Sequence, residues 1–358
     1  MGCCENMTAE ENFNLTNNQT EGTSPLGVGS GSSAASMAMP IFSMTLGILS
    51  NIVALVILVK SYSRFRRRTK ATFLLFASSL VLTDFAGHLI PGALVLHQYS
   101  TVAPRRNMGS SSALCQFFGA CMVFFGLCPL FLGCVMAVER CVGVTRPLLH
   151  SSVVTTARTK LAVVSLWTVA VLISLLPSMG FGRYSVQWPN TWCFIRVPPF
   201  QPGSWLDSAF AIIFSLLGLA SLLVSMVCNT ISGVTLVQAR LRKKTCNRKA
   251  KSHDIEMVVQ LVGIMMVSCI CWSPLLCFVL IAVCSRSHDQ QEKRILLGVH
   301  LASWNQILDP WVYILLRRAV MRKVYKVVVR RSDLNKSMFD RWEISSFQSS
   351  DRSVVSRF

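Results

Sequence analysis

Polar side chains recur inside the last long apolar run, His300-Leu-Ala-Ser-Trp-Asn-Gln-Ile-Leu-Asp-Pro-Trp-Val-Tyr-Ile-Leu-Leu316. Asn305, Asp309 and Tyr313 fall at i, i+4 and i+8 and so share one helix face. An acid, an amide and a phenol on one face can donate, accept and hold a proton. In a helix of membrane length they are costly unless they face protein or water. Pro310 lies inside the stripe, removes one backbone donor and predicts a kink. Two readings stay open at this point: a polar seam that only packs helices together, and a bistable helix in a protein that changes shape.

Other residues capable of chemistry are scattered along the chain. His88 stands one turn beyond Asp84, and Glu139-Arg140-Cys141 ends the third apolar run. Cys271-Trp-Ser-Pro274 interrupts the sixth. No HExxH, GxSxG or GxGD pattern occurs, so hydrolytic or intramembrane catalysis has no credible residue set. No CxxC pair or His/Cys cluster with zinc spacing occurs among the 14 cysteines, which lie mostly inside apolar runs. We therefore expect no metal and no cofactor.

These residues are carried by elements of membrane length. The chain has 358 residues, of which 52% are hydrophobic and 14% charged, and a mean hydropathy of +0.49. That composition belongs to an integral membrane protein. Seven apolar spans are predicted at roughly 38–60, 70–98, 113–139, 159–181, 205–239, 254–284 and 293–316. An odd number places the termini on opposite sides. The loops at 60–70, 140–160 and 240–251 and the tail from Arg317 hold 28 of the 35 Lys and Arg residues, against seven on the other side. This bias marks the cytoplasmic face. The net charge of +19 therefore faces the inner leaflet and its acidic lipids, and nucleic acid is set aside.

Residues 1–37 are expected to form an extracellular tail. Its first 36 residues carry four acids, no Lys or Arg, and three sequons at Asn6, Asn14 and Asn18. No basic n-region or cleavage site is visible, so the first span is expected to act as its own anchor. The spans occupy 38–316. Residues 317–331 alternate Arg and Lys with Val320, Val324, Tyr325 and Val328, which predicts an amphipathic helix on the inner membrane surface. Residues 332–358 form a polar cytoplasmic tail with six serines from Ser345 to Ser356. No internal repeat is visible, which weakens a transporter or proton-relay reading built on Asp84, Asp309 and His88.

Seven spans bearing in order Asn51, Asp84, Glu139-Arg140, Trp167, Cys271-Trp-Ser-Pro274 and Asp309-Pro-Trp-Val-Tyr313 resemble a rhodopsin-class G-protein-coupled receptor over about residues 40–331. Within that class, Gln187-Trp-Pro-Asn-Thr-Trp-Cys-Phe194 and Ala302–Leu316 resemble the prostanoid receptors. Phe42–Gly47, Gly92–Leu96, Cys121–Pro129 and Gly143–His150 look most like the prostaglandin E receptors of subtype one, and the F-type receptors share several of these stretches.

The resemblance implies an all-α seven-transmembrane bundle with an extracellular N-terminus and a plasma-membrane location. It implies a prostaglandin-type lipid ligand, prostaglandin E2 first, and a heterotrimeric G protein of the Gq family acting through calcium. Arrestin on the phosphorylated serines and contacts with membrane lipids complete the partners. Cys115 and Cys193 are implied to form a disulfide. The ligand carboxylate is assigned to Tyr99, Thr191 and a span-seven arginine, whose position is occupied here by His300. Arginine offers a permanently charged fork, whereas histidine offers single bonds and is charged only below about pH 6.5 unless a neighbour helps. Lys293, seven residues earlier on the same face, is placed to share the charge. His88 and Ser303 are implied to meet ring oxygens. The implied switch comprises Asp84, Glu139, Arg140, Trp272, Pro274, Asn305, Asp309, Pro310 and Tyr313. Trp272 is the sensor at the pocket floor, and Arg140 pairs with Glu139 at rest. Asp84 and Asp309 are both acids where the class more often pairs an acid with Asn, and Pro129 replaces a common serine ligand, so the class's sodium site is not expected.

Overall fold

The structure, a computed structural model, describes residues 30–64, 68–100, 113–197, 205–242, 248–284 and 288–315, with backbone alone at several helix ends. The helices run in the order α1 (Ser30–Arg64), α2 (Arg68–Ser100), α3 (Ala113–Thr145), α4 (Pro147–Val153), α5 (Thr156–Leu175), α6 (Trp205–Arg242), α7 (Arg248–Cys284) and α8 (His288–Leu315). Each apolar run closes its backbone hydrogen bonds within itself, as a single segment in hydrocarbon must.

Among the described residues, six helices are long and apolar enough to cross a membrane. The seventh, α8, has a polar outer end with Glu292, Lys293 and Arg294, and Asn305 and Asp309 further in. It is held in the bundle by α7 and α1, and the helix runs through Pro310 to Leu315. The α1 backbone begins at Ser30, ahead of the expected boundary at 38. Ser and Ala there are compatible with a helix although they are not apolar enough for hydrocarbon. The sequons at Asn6, Asn14 and Asn18, the expected surface helix at 317–331 and the tail at 332–358 lie outside the described residues.

Helix α3 is the central post. It touches α2, α4, α5, α6 and the extracellular loop. One apolar cluster joins Phe118, Val123 and Leu127 of α3 to Phe210 and Phe214 of α6 and to Trp272 and Leu276 of α7. A second joins Leu132 and Met136 to Phe76 and Leu80 of α2 and Val163 of α5. Two cores on opposite sides of one helix fix the bundle's order.

The extracellular loop is a finding that periodicity did not anticipate. Helix α5 gives way at Pro177 to a 3-10 turn, and Gly180 and Gly182 follow at φ 88° and 87°. The chain then makes an antiparallel hairpin, β1 (Tyr184–Gln187) and β2 (Trp192–Ile195), with Val186 opposite Cys193. Cys193 forms the implied disulfide with Cys115 at the top of α3. The Tyr184 ring lies directly on Gly119 of α3, where a methyl group would overlap it, and its hydroxyl donates to Ser174 O at 2.8 Å. Burial raises the Tyr184 phenol above its ordinary value, so it remains a donor at any working pH. Asp207, buried in the first turn of α6, lies 3.6 Å from Arg183 and 4.0 Å from Arg196. These two arginines flank the hairpin and pair through their backbones at 2.9 Å. Covalent, apolar and ionic ties thus clamp the hairpin over the bundle.

Replacing Tyr184 by Phe strands the Ser174 carbonyl and is expected to cost about 1–2 kcal/mol. Thermal unfolding of the purified protein in detergent checks this, with a lowered Tm as the expected outcome.

Candidate ligand site and switch

Beneath the hairpin lies a cavity of about 310 Å³. Its wall is mostly apolar, with Met44 of α1, Phe118 and Met122 of α3, Phe214 of α6, and Leu275 of α7. The hairpin contributes Trp188, Thr191 and Trp192, and Trp272 closes the wall deeper in the bundle. An elongated apolar molecule with a few polar atoms suits such a space. The structure brings four of the five predicted ligand residues to this one cavity: His88 from α2, Thr191 from the hairpin, and His300 and Ser303 from α8. Tyr99 sits in the last turn of α2, and its side chain lies outside the described residues. His88 is buried, its Nε2 has no protein partner, and its ring covers Gly47 so closely that a methyl group there would overlap it. Ser303 Oγ donates to His300 O at 2.8 Å.

Gln306 was not singled out from the sequence, yet it lines the cavity and positions α8. Its Nε2 donates to Phe125 O of α3 at 2.9 Å, and its carbonyl accepts from Asn51 Nδ2 of α1 at 3.2 Å. One residue off the Asn305–Asp309–Tyr313 stripe, it faces another way. The available signal was a second amide in an apolar run.

Trp272 separates the outer cavity from a smaller inner one of about 40 Å³ and lines both. The inner space is bounded by Pro129, Ser225, Asn229, Asn305 and Asp309. It is large enough and polar enough to hold water. Asn305 Nδ2 donates to Asp309 Oδ2 at 2.9 Å, as the i, i+4 spacing predicts. Asn305 Oδ1, Asn229 Oδ1, Trp272 Nε1 and both oxygens of Asp84 have no protein hydrogen-bond partner. Asp84 is near enough to Asp309 for their charges to interact. Pro274 lies inside α7 two residues beyond Trp272. Tyr313 is in the last turns of α8, with its side chain outside the described residues.

At the cytoplasmic end the Glu139 carboxylate is taken by a residue that the sequence reading quoted but gave no role. His150 Nε2 lies 2.7 Å from Glu139 Oε1, and both side chains are about nine-tenths buried. The short helix α4, begun by Pro147, folds back along α3 and lays the His150 ring on Gly143. Arg140 is half-buried beside this pair.

The pair makes a testable prediction. His150→Ala and Glu139→Gln are each expected to raise basal nucleotide exchange severalfold. The double variant should exceed neither single one if the two residues act only through each other. Gly47→Ala is expected to displace the His88 ring and raise the agonist EC50 at least fivefold, while surface expression measured by an N-terminal tag is retained.

A family model described as 7 transmembrane receptor (rhodopsin family) matches residues 50–313. The prostaglandin E2 receptor EP1 subtype of Canis lupus familiaris is 47% identical over 91% of this chain and 92% of its own length. The Homo sapiens EP1 subtype is 46% identical over the same shares. The Homo sapiens prostaglandin F2-alpha receptor is 44% identical over 86% of this chain and 85% of its own length. This similarity, together with the seven-helix bundle and its roofed cavity, leads to one conclusion: the chain belongs to the rhodopsin family of G-protein-coupled receptors, and within it to the prostanoid receptors, multi-pass proteins of the plasma membrane that are receptors rather than enzymes.

Proposed function

We propose that this chain is a cell-surface receptor for prostaglandin E2 that signals through Gq and intracellular calcium. The observation that carries the reading is the roofed, mainly apolar cavity in which His88, Thr191, His300 and Ser303 converge. A C20 lipid with an oxygenated ring and a polar head needs such a slot. In this reading His88 and Ser303 meet the ring oxygens, and Thr191, His300 and Tyr99 meet the head group.

Ligand in the outer cavity bears on Trp272, whose far side borders the inner one. Rearrangement there, among Asp84, Asn305, Asp309, Pro310 and Tyr313, accompanies a swing of α7 about Pro274. The swing frees Arg140 and opens the inner face to the G protein. Leu148 on α4, 86% exposed at that face, supports a docking role. The basic stretch Arg240–Lys251 and the segment 317–331 add charge toward the G protein and inner-leaflet lipids. Phosphorylation of the terminal serines would recruit arrestin, and Asn6, Asn14 and Asn18 would carry glycans.

The prostaglandin F2-alpha receptor's 44% identity, close to the 46% of the human EP1 subtype, favours an F-type prostanoid as the second reading. Calcium release in cells expressing the chain, titrated with prostaglandin E2 and F2-alpha at pH 7.4, separates them. Prostaglandin E2 is expected to act at the lower concentration. Trp272→Ala is expected to cut the maximal response by more than half with little change in binding. Silence toward both ligands, with surface expression confirmed, overturns the reading.

A further inference from the structure

Among the described residues, the wall of the outer cavity contains no Asp, Glu, Lys or Arg. Its polar side chains are Ser43, His88, Thr191, His300, Ser303 and Gln306, all neutral or titratable. Gln306 and Ser303 already donate to backbone carbonyls. Lys293, two turns outward from His300 on α8, is not itself a lining residue and stands in solvent over Trp188, which is one. Its Nζ stands 5.7 Å from the centre of the Trp188 ring, and its side chain is exposed. A carboxylate entering this space gives up water without a fixed cation to replace it, which is the costly case for a buried charge.

The chemistry of His300 points the same way. The described wall holds no acid beside it to favour the charged form, and a neutral imidazole has one ring nitrogen that donates and one that accepts. The two nitrogens point in diverging directions, and a head group meets one of them. A carboxylate accepts only and can meet only the N–H, whereas an amide or an alcohol can meet either nitrogen, whichever tautomer is present.

We propose that this cavity takes prostanoid-type lipids with an uncharged head group, C1 amides and related neutral derivatives, at least as well as the free acids. The inference rests on reading the chain as a prostaglandin E2 receptor and names the head-group class of its ligand. The apolar body of the ligand lies along the α3, α6 and α7 wall. The head group lies between Thr191 and His300.

The test is agonist-driven nucleotide exchange on washed membranes carrying the full chain and a co-expressed G protein, at pH 7.4. The probes are prostaglandin E2, its C1 N-methylamide, which resists hydrolysis, and its C1 alcohol. The expected result is an amide EC50 no more than threefold above that of the acid. His300→Arg is expected to lower the acid EC50 at least tenfold and raise that of the amide. His300→Gln, which keeps one donor and one acceptor, should leave the acid-to-amide ratio unchanged. An acid more than threefold more potent than the amide on the unmodified chain overturns the proposal, and that ratio decides the matter even if the arginine variant fails to reach the surface. Silence toward the acid, the amide and the alcohol alike, with the receptor present at the surface, overturns the prostaglandin E2 reading itself and the head-group proposal with it.

Discussion

Hydrocarbon gives a polar side chain nothing to bond to, so each one inside this bundle must be answered by protein or by enclosed water. That constraint places α8. Asn51 of α1 bonds the Gln306 carbonyl, and the Gln306 amide bonds the Phe125 carbonyl of α3. Three helices are tied through one residue. Once α8 is held in this rotation, His300 and Ser303 face the outer cavity, and Asn305 and Asp309 face the inner one.

The two halves of this polar seam differ. Around Gln306 the bonds close across helices, and the seam acts as an anchor. On the neighbouring face, the Asn305 amide nitrogen bonds Asp309 one turn further in, but Asp84, Asn229, Trp272 and the Asn305 side-chain oxygen retain polar atoms that no protein group answers. A fully satisfied network resists rearrangement, whereas one with unanswered members gains from finding another arrangement. The satisfied and the unsatisfied parts of the polar seam thus lie on neighbouring faces of α8. Trp272 stands at the boundary and lines both cavities.

The extracellular and cytoplasmic ends are built on opposite principles. Outside, the hairpin is held by a disulfide to α3, by the Tyr184 ring on Gly119 and by Arg183 and Arg196 around Asp207. Redundant ties of different kinds make a fixed roof. Inside, α4 is joined to α3 by its Glu139–His150 contact, close to the exposed Leu148. The roof is held by a covalent bond and the floor by polar and packing contacts alone.

The sequence by itself determined the class of molecule and the apolar lengths, charge distribution and polar spacing of its helices. Apolar length, the distribution of Lys and Arg, and the Asn305–Asp309 spacing are local quantities, and hydrocarbon enforces each one segment by segment. The Cys115–Cys193 pair and the convergence of His88, Thr191, His300 and Ser303 on one cavity were legible only through family resemblance, because their partners are distant in the chain. Tertiary structure alone decided the rest. The hairpin depends on Tyr184 finding Gly119. Gln306 earns its role from carbonyl partners on other helices, which no side-chain pattern reveals. His150 reaches Glu139 because α4 folds back on α3. The absence of Asp, Glu, Lys and Arg from the described outer wall is likewise a property of the assembled cavity, since the chain's charged residues are distributed by sidedness and only packing decides which side chains share a wall.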